Sequence, residues 1–527
     1  MRNWIVKIMA VLLSVSLLLS FVGCESKPVL SGNGSGGDPT TPAPTDTADC
    51  AVKIGDYEIS TAMMNYFFME AIKSERSAYG DYASYFLPYD VTKPLNEQIF
   101  NEETGDTWAD YYLYLAIEQA KAIYGACDEA EKIGFQLPES YENYVISQVS
   151  SMEQLAQYCY NMELDTYLSL VYGDGATKEN YTQYLRNQMV AVTYYEHYRA
   201  QTRDSYTKEQ IQAYDAEHTA SLSRYNFYTY AVNYSTFLEG GTENEEGTVV
   251  YSEEEKERAR QTAAAVADSL MAATTVEEFQ TLVSQLPYDV TKECSHNTDI
   301  PFSSIGTEYG LWLSDSARQP GDMQCFPVKY TQTTESGNSI EVVKSYLVMM
   351  YESTNENLTP LANVRHLLVA FSGGSQDSNG NIVYSDADKE IAREKAERLL
   401  SEYLAGEQTE EAFIALVKAN TEDEASKESG GLYIDICEDS SYVEGFKNWA
   451  VANVGNIGAT GVVETTYGYH VMYYASDSET TYRQYLATEA MLSVDMAQWE
   501  QTITESVTVE QVDISGILMD VIWQPAS

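Results

Sequence analysis

The spacing of apolar residues divides the chain into three stretches. Ile8 to Val22 is an unbroken apolar run behind the basic Arg2 and Lys7, too short and wrongly flanked for a lasting membrane span. Ser31 to Asp49 is almost wholly Gly, Ser, Thr, Pro and Asp, with nothing to bury, and reads as a flexible tether. From residue 50 the pattern becomes periodic. A short strand, Ala51–Ile59, leads to Ser60 as an N-cap. Repeats of three to four residues then predict helices around 61–76, 108–133, 139–172 and 178–202. Beyond residue 220 strands alternate with helices. The tail predicts a helix over about 480–503, then Val507–Ile514 and an apolar stretch, Ile517–Trp523. That stretch is too short to fold alone and is expected to dock on another domain.

The second half repeats itself. Val250-Tyr251-Ser252, followed by Lys256-Glu257 and Ala259-Arg260, recurs as Val383-Tyr384-Ser385, Lys389-Glu390 and Ala392-Arg393. Each copy opens a helix with Ser252 or Ser385 as N-cap and acids in the first turn. Phe279, Leu282 and Val283 recur as Phe413, Leu416 and Val417, giving each second helix a core face. Trp312 and Gly321 keep the spacing of Trp449 and Gly458, and Ser345–Tyr351 matches Gly468–Tyr474. The shared order predicts two copies of one domain, each running strand, helix, helix, short helix, strand. The first strands fall near Phe227–Val232 and Arg365–Phe371, the last near Tyr346–Tyr351 and Tyr469–Tyr474. The fold class is α+β: a helical N-terminal module, two small sheets covered by helices, and a C-terminal helical segment.

Composition narrows the function. A net charge of −49 and a pI near 4.2 describe a surface that repels nucleic acid, so that partner class is excluded. The acidity is spread along the chain and reads as a solvating coat for a sticky binding protein. Cys50, Cys127, Cys159, Cys294, Cys325 and Cys437 form no C-x-x-C pair, which argues against zinc and thioredoxin chemistry. A Cys294–Cys325 disulfide is one open pairing in an oxidising compartment. Phe21-Val22-Gly23-Cys24, with polar Glu25-Ser26-Lys27 behind it, resembles a bacterial lipobox. The resemblance implies a signal peptide over 1–23, lipidation of Cys24, and extracytoplasmic anchoring to the cell membrane through two chains.

The second copy, 354–478, resembles the parvulin-type peptidyl-prolyl cis/trans isomerases. The residues that carry this are Val364-Arg365-His366-Leu367-Leu368-Val369, Thr421-Glu422-Asp423, Gly430-Gly431-Leu432, Val443-Glu444-Gly445-Phe446 and Tyr467-Gly468-Tyr469-His470-Val471-Met472. Independently, His366 and His470 lie on the first and last strands of the copy, where neighbouring strands would bring their rings together. The bland alternative is two satisfied core histidines, which orient a site rather than transfer protons. The resemblance implies a catalytic set of His366, Asp423 and His470, and an apolar proline pocket from Leu432, Tyr442 and Phe446, with a hydroxyl from Thr465 or Tyr467. The chain departs from the usual Gly-Gly-Asp-Leu-Gly, having Gly430-Gly431-Leu432-Tyr433-Ile434.

Rotation about an X-Pro bond makes and breaks no covalent bond, so no metal, nucleotide or other cofactor is expected. In the first copy Leu347 stands where His470 does, no histidine lies on the first strand, and only Asp289 keeps register with Asp423. That copy, 206–353, is expected to be catalytically silent. Ile54–Ser60 and Glu129–Phe135 resemble the helical chaperone module of PrsA-like and SurA-like foldases, placing such a module at 50–205 and the docking segment at 479–527. The resemblance implies a foldase acting on unfolded secreted polypeptides with X-Pro bonds. The rivals are a non-catalytic holdase with remnant parvulin domains and, from a different class, a lipoprotein binding solutes or cell wall.

Overall fold

The computed structural model describes residues 29–30, 49–244, 247–288, 290–333, 339–376 and 382–522. The signal-like segment 1–23, Cys24, nearly all of the linker 24–49, and Asp289 lie outside them. The chain forms two compact units, one from residues 1–206 with 491–527 and one from 207–490.

The first unit opens with β1 (Cys50–Ile54) and β2 (Tyr57–Ser60), an antiparallel hairpin turned by Gly55 at φ +57°. Ser60 accepts the Met63 N–H at 3.2 Å and starts α1 (Thr61–Tyr79), as its position before a periodic run requires. A reciprocal Thr107/Asp110 cap starts α2 (Trp108–Lys132). The helix expected over 139–172 is instead two, α3 (Glu139–Tyr160) and α4 (Leu164–Tyr172). Asn161 breaks it by adopting the left-handed conformation at φ 54°, which Asn tolerates and β-branched residues do not. The last long helix before the unit boundary is α5 (Lys178–Ser205).

The tail completes this unit. Val509–Gln511 pairs with the free edge of β1, and Ile517 and Val521 are buried in the helical core. Asn65, wholly buried in α1, ties the tail down. It accepts the Leu518 N–H at 3.0 Å and donates to the Tyr172 carbonyl at 2.8 Å.

The second unit holds two sheets of the same design. The first contains β3 (Arg224–Asn233), α6 (Glu253–Leu270), α7 (Val276–Ser284), β4 (Ser295–Pro301), α8 (Thr307–Leu313), β5 (Met323–Thr333) and β6 (Ser339–Asn355). The second contains β7 (Pro360–Ala370), α9 (Asp386–Leu404), α10 (Glu410–Asn420), β8 (Leu432–Ile436), α11 (Glu444–Ala452), β9 (Thr460–Glu464) and β10 (Gly468–Thr481). Both sheets are antiparallel, in the orders β4-β3-β6-β5 and β8-β7-β10-β9. Each therefore has two edge strands beyond the expected pair. Ser252 and Ser385 do cap α6 and α9.

Alternation along β7 and β10 sorts the second core. Leu367, Val369, Val471 and Tyr473 pack with Ala392, Ala396, Phe413 and Val417 of α9 and α10. Ala362, Val364, Met472 and Tyr474 pack with Phe446 and Ala450 of α11. His366 and His470 share the α11 face with the second set. The open Cys294–Cys325 pairing is not made, and both residues are thiols, that of Cys294 pushed up to about 11 by burial. Cys294 leads into β4 and Cys325 lies on β5, at opposite edges of one sheet. Three strand spacings, roughly 14 Å, separate such edges, twice the reach of a disulfide.

Candidate active site

The site forms where the central strands of the second sheet meet the loop after α10. His366 pairs across the ladder with Met472, and Leu368 with His470, so the two imidazoles are diagonal neighbours on one face. They are 3 % and 5 % exposed, and their Nδ1 atoms stand 2.9 Å apart. Residues 421–423 are pinned to β7. The Glu422 N–H donates to the Leu368 carbonyl at 2.9 Å, and Thr421 Oγ1 accepts the Leu368 N–H at 3.1 Å. This fixes Asp423 with its Oδ2 at 3.0 Å from His366 Nε2. The same oxygen accepts the hydroxyls of Ser426 and, at 3.1 Å, Tyr433. At the far end Thr465 Oγ1 lies 2.8 Å from His470 Nε2.

Gly431 makes the approach of β8 to β7 possible. Its carbonyl accepts the His366 N–H at 2.9 Å, and a Cβ there would lie 2.0 Å from the His366 carbonyl oxygen. Its φ of +71° also excludes most side chains.

Donor and acceptor counting assigns the protons. Burial holds both histidines neutral against the pull of Asp423. His366 is lowered from its ordinary value, and His470 falls to about 3, with the neighbouring His366 adding to the burial effect. Burial would raise the Asp423 carboxyl, but hydrogen bonds from Ser426, Tyr433 and His366, with the electrostatic attraction of the His366 N–H, outweigh it, so Asp423 is lowered and ionised. An ionised carboxylate only accepts, so His366 carries its proton on Nε2 and offers Nδ1 as acceptor. His470 then donates from Nδ1, leaving its Nε2 to accept the Thr465 hydroxyl.

Aromatic rings line the same face. Phe446, 3 % exposed, stands 5.2 Å from the His366 ring and 5.5 Å from that of His470. Tyr433 meets His366 edge-on at 5.0 Å. Tyr442 lies 5.3 Å from Tyr433 and 5.6 Å from Phe446. The result is a dry, polar but uncharged pair of imidazoles beside an apolar aromatic wall. Such a surface can grip a pyrrolidine ring and present fixed dipoles to a twisting amide.

The structure thus brings His366, Asp423, His470, Tyr442, Phe446 and Thr465 together. Tyr467 is 65 % exposed and serves through its backbone N–H, which donates to Thr465 Oγ1 at 3.2 Å. Leu432 is not at the ring cluster. It pairs with Arg365, and strand alternation turns it to the face opposite Tyr433, which occupies the wall instead. Thr421 and Tyr433 fall within the motifs quoted from the sequence but were given no part in the site, and Ser426 was not named. The i to i+3 spacing of Asp423 and Ser426, which suits a side-chain bond within one turn, was the signal for Ser426.

The first sheet shows what the site looks like without histidines. Thr229 pairs with Met349 as His366 pairs with Met472, so Thr229 takes the place of His366. Its hydroxyl takes a bond from Asn297 at 3.2 Å. Leu347 takes the place of His470. Opposite it stands buried Phe326, where Val463 stands opposite His470. Phe326 packs edge-on against Tyr309 at 4.9 Å and Trp312 at 5.9 Å, filling that face with the chain's own rings.

Comparison with known proteins bears on the second module. The family model described as the PPIC-type PPIASE domain matches residues 346–476. No curated protein matches the chain. Among solved structures, a peptidylprolyl isomerase (PrsA) from Bacillus anthracis is similar at 18 % identity and TM-score 0.18, covering 29 % of this chain and 59 % of that one. PrsA from Bacillus subtilis matches at 21 % identity and TM-score 0.16, covering 28 % and 47 %. A peptidylprolyl isomerase (PrsA) from Bacillus cereus matches at 16 % identity and TM-score 0.18, covering 51 % and 91 %. The chain thus spans about half the length of the first two. Among the described residues, no helix is long and apolar enough to cross a membrane. With the family match and the paired imidazoles on one stretch of chain, residues 346–476 are a parvulin-type peptidyl-prolyl isomerase domain.

Proposed function

We propose that the protein is a peptidyl-prolyl cis/trans isomerase and chaperone that assists folding of secreted polypeptides outside the cytoplasmic membrane. The observation that carries the reading is the hydrogen-bonded line Asp423–His366–His470–Thr465 beside Phe446, Tyr433 and Tyr442. The X-Pro amide resists rotation through its partial double bond, and unaided isomerisation takes tens to hundreds of seconds. An apolar wall that holds the ring, with dipoles preset for the twisted amide, lowers that barrier without covalent chemistry.

In this reading His366, Asp423 and His470 form the catalytic set, Phe446 and Tyr442 grip the proline, and Thr465 orients His470. The module at 206–353 is silent and serves packing or client binding. The helical module at 50–205, with the segment 479–527, holds unfolded clients. Cleavage before Cys24 and its lipidation tether the whole to the membrane. Refolding of a proline-limited protein tests the reading. The wild type should accelerate the slow phase and His470→Ala should not; a slow phase unchanged by both overturns it. A holdase is the second reading, favoured by the contact of Tyr433, Tyr442 and Phe446 with one another. It predicts suppressed aggregation with no change in rate.

A further inference from the structure

The geometry points to Tyr433 as a positioning residue of the isomerase site: its hydroxyl holds Asp423 as an ionised acceptor and thereby fixes the proton order of the two histidines. This rests on the isomerase reading of the same site.

Three donors converge on one oxygen, Asp423 Oδ2: His366 Nε2 at 3.0 Å, the Ser426 hydroxyl, and the Tyr433 hydroxyl at 3.1 Å. The other oxygen, Oδ1, accepts the Ala425 N–H at 3.2 Å. Burial and the Asp423 charge both push the Tyr433 phenol above its ordinary value, so it stays a donor at any working pH. Its ring is held as well, edge-on to His366 at 5.0 Å and packed at 5.6 Å against Phe446. The hydroxyl is therefore aimed by a ring that has little room to move.

The consequence runs along the line. While Oδ2 is an anion, His366 must keep its proton on Nε2, and the His470 proton must sit on Nδ1. A protonated Asp423 could donate to His366 Nε2 instead, and the order of both imidazoles would reverse. Each donor removed from Oδ2 makes that protonation easier, because hydrogen bonds to the charged form are what lower a carboxyl. The other charged groups around this loop are already engaged with each other. Glu422 pairs with Lys395, Glu424 pairs with Lys427, and Arg365 pairs with Glu410. None of these cations is given to Asp423, so the hydroxyls of Ser426 and Tyr433, the imidazole of His366 and the Ala425 N–H are its support.

The test uses the full chain and the Tyr433→Phe variant, which keeps the ring and loses only the hydroxyl. Isomerisation of an Ala-Pro peptide is followed across pH, with kcat and KM separated. The expected result is a kcat lower by about threefold to tenfold, a KM within about twofold, and an acid limb moved to higher pH. An unchanged kcat and acid limb, or a rise in KM alone, overturns the assignment and leaves Tyr433 as a wall of the pocket. Imidazole nitrogen NMR separates this from failure of the isomerase reading, since it needs no turnover. Wild-type His366 should show the Nε2–H form alone and the variant a mixture as pH falls. Identical spectra would overturn the assignment whether or not the protein is an isomerase.

Discussion

His366 and His470 are buried where protonation would place a second charge in a dry site, and this sets two pH dependences. The first concerns rate. Because burial lowers both rings from their ordinary range, isomerase activity should stay level from pH 8 down through 6.5, falling only in the acid range where Asp423 gains its proton. A sigmoid centred near 6.5 in kcat would contradict the assigned protonation. The second concerns stability. In the unfolded chain a histidine takes its proton near pH 6.5, while in the fold His470 resists until about 3. The unfolded state thus binds more protons across that window, so stability declines as pH falls through it. Urea midpoints should drop from pH 7 to 4, and less so in a His366→Gln/His470→Gln double variant.

Glu500 gives the opposite sign in the helical unit. Its side chain lies among Ala122, Ala126, Ala191 and Ile503, and Oε1 has no hydrogen-bond partner among the described residues. Burial raises its carboxyl to about 7. Here the folded state holds the proton longer, so stability falls as pH rises from about 4.5 to 7. Glu500→Gln should remove that loss and raise the thermal midpoint of this unit at pH 8; a variant no more stable than wild type would contradict it.

At the scale of elements, what the sequence disclosed depended on how many residues reported on each feature. The caps Ser60, Ser252 and Ser385 were legible because a polar residue precedes a long periodic run. The histidine pair was legible from its place at opposite ends of a repeated module. The edge strands β4, β5, β8 and β9 were not, because their five to eleven residues of mixed polarity do not distinguish a strand from a loop. Leu432 was assigned to the wall in place of Tyr433 because Gly430 and Gly431 both take positive φ, and a shift of one residue beyond such a turn exchanges the two faces of a strand. The break at Asn161 was hidden because apolar residues continue on both sides of it. The Gly-Gly turn is itself testable. Gly431→Ala should cost about 1–3 kcal/mol and displace β8 from β7, seen as a lower melting temperature with loss of activity. Ser385→Ala, which only removes a cap, should cost about 1 kcal/mol and leave kcat alone.

At the scale of the whole molecule, one design occurs twice with different side chains on the equivalent face. The first sheet retains the strand order of the second but replaces the imidazoles by Thr229 and Leu347 and buries Phe326 over that face. The second retains a polar line that a folding core alone would not require. The net charge of −49 gives the chain an acidic surface that favours solubility. The tail has a structural role in the helical unit through β1, Asn65 and the buried Ile517 and Val521. Truncation after residue 506 should lower the melting temperature of that unit while leaving peptide isomerisation within about twofold of wild type.

Exchange NMR of an Ala-Pro peptide with a catalytic amount of the full chain measures the central claim directly. Unaided, cis and trans forms interconvert over tens to hundreds of seconds, too slowly for exchange peaks. The account predicts exchange peaks between the two forms with the wild type, lost with His470→Ala. A peptide whose cis and trans signals remain uncoupled in the presence of wild-type protein would contradict it.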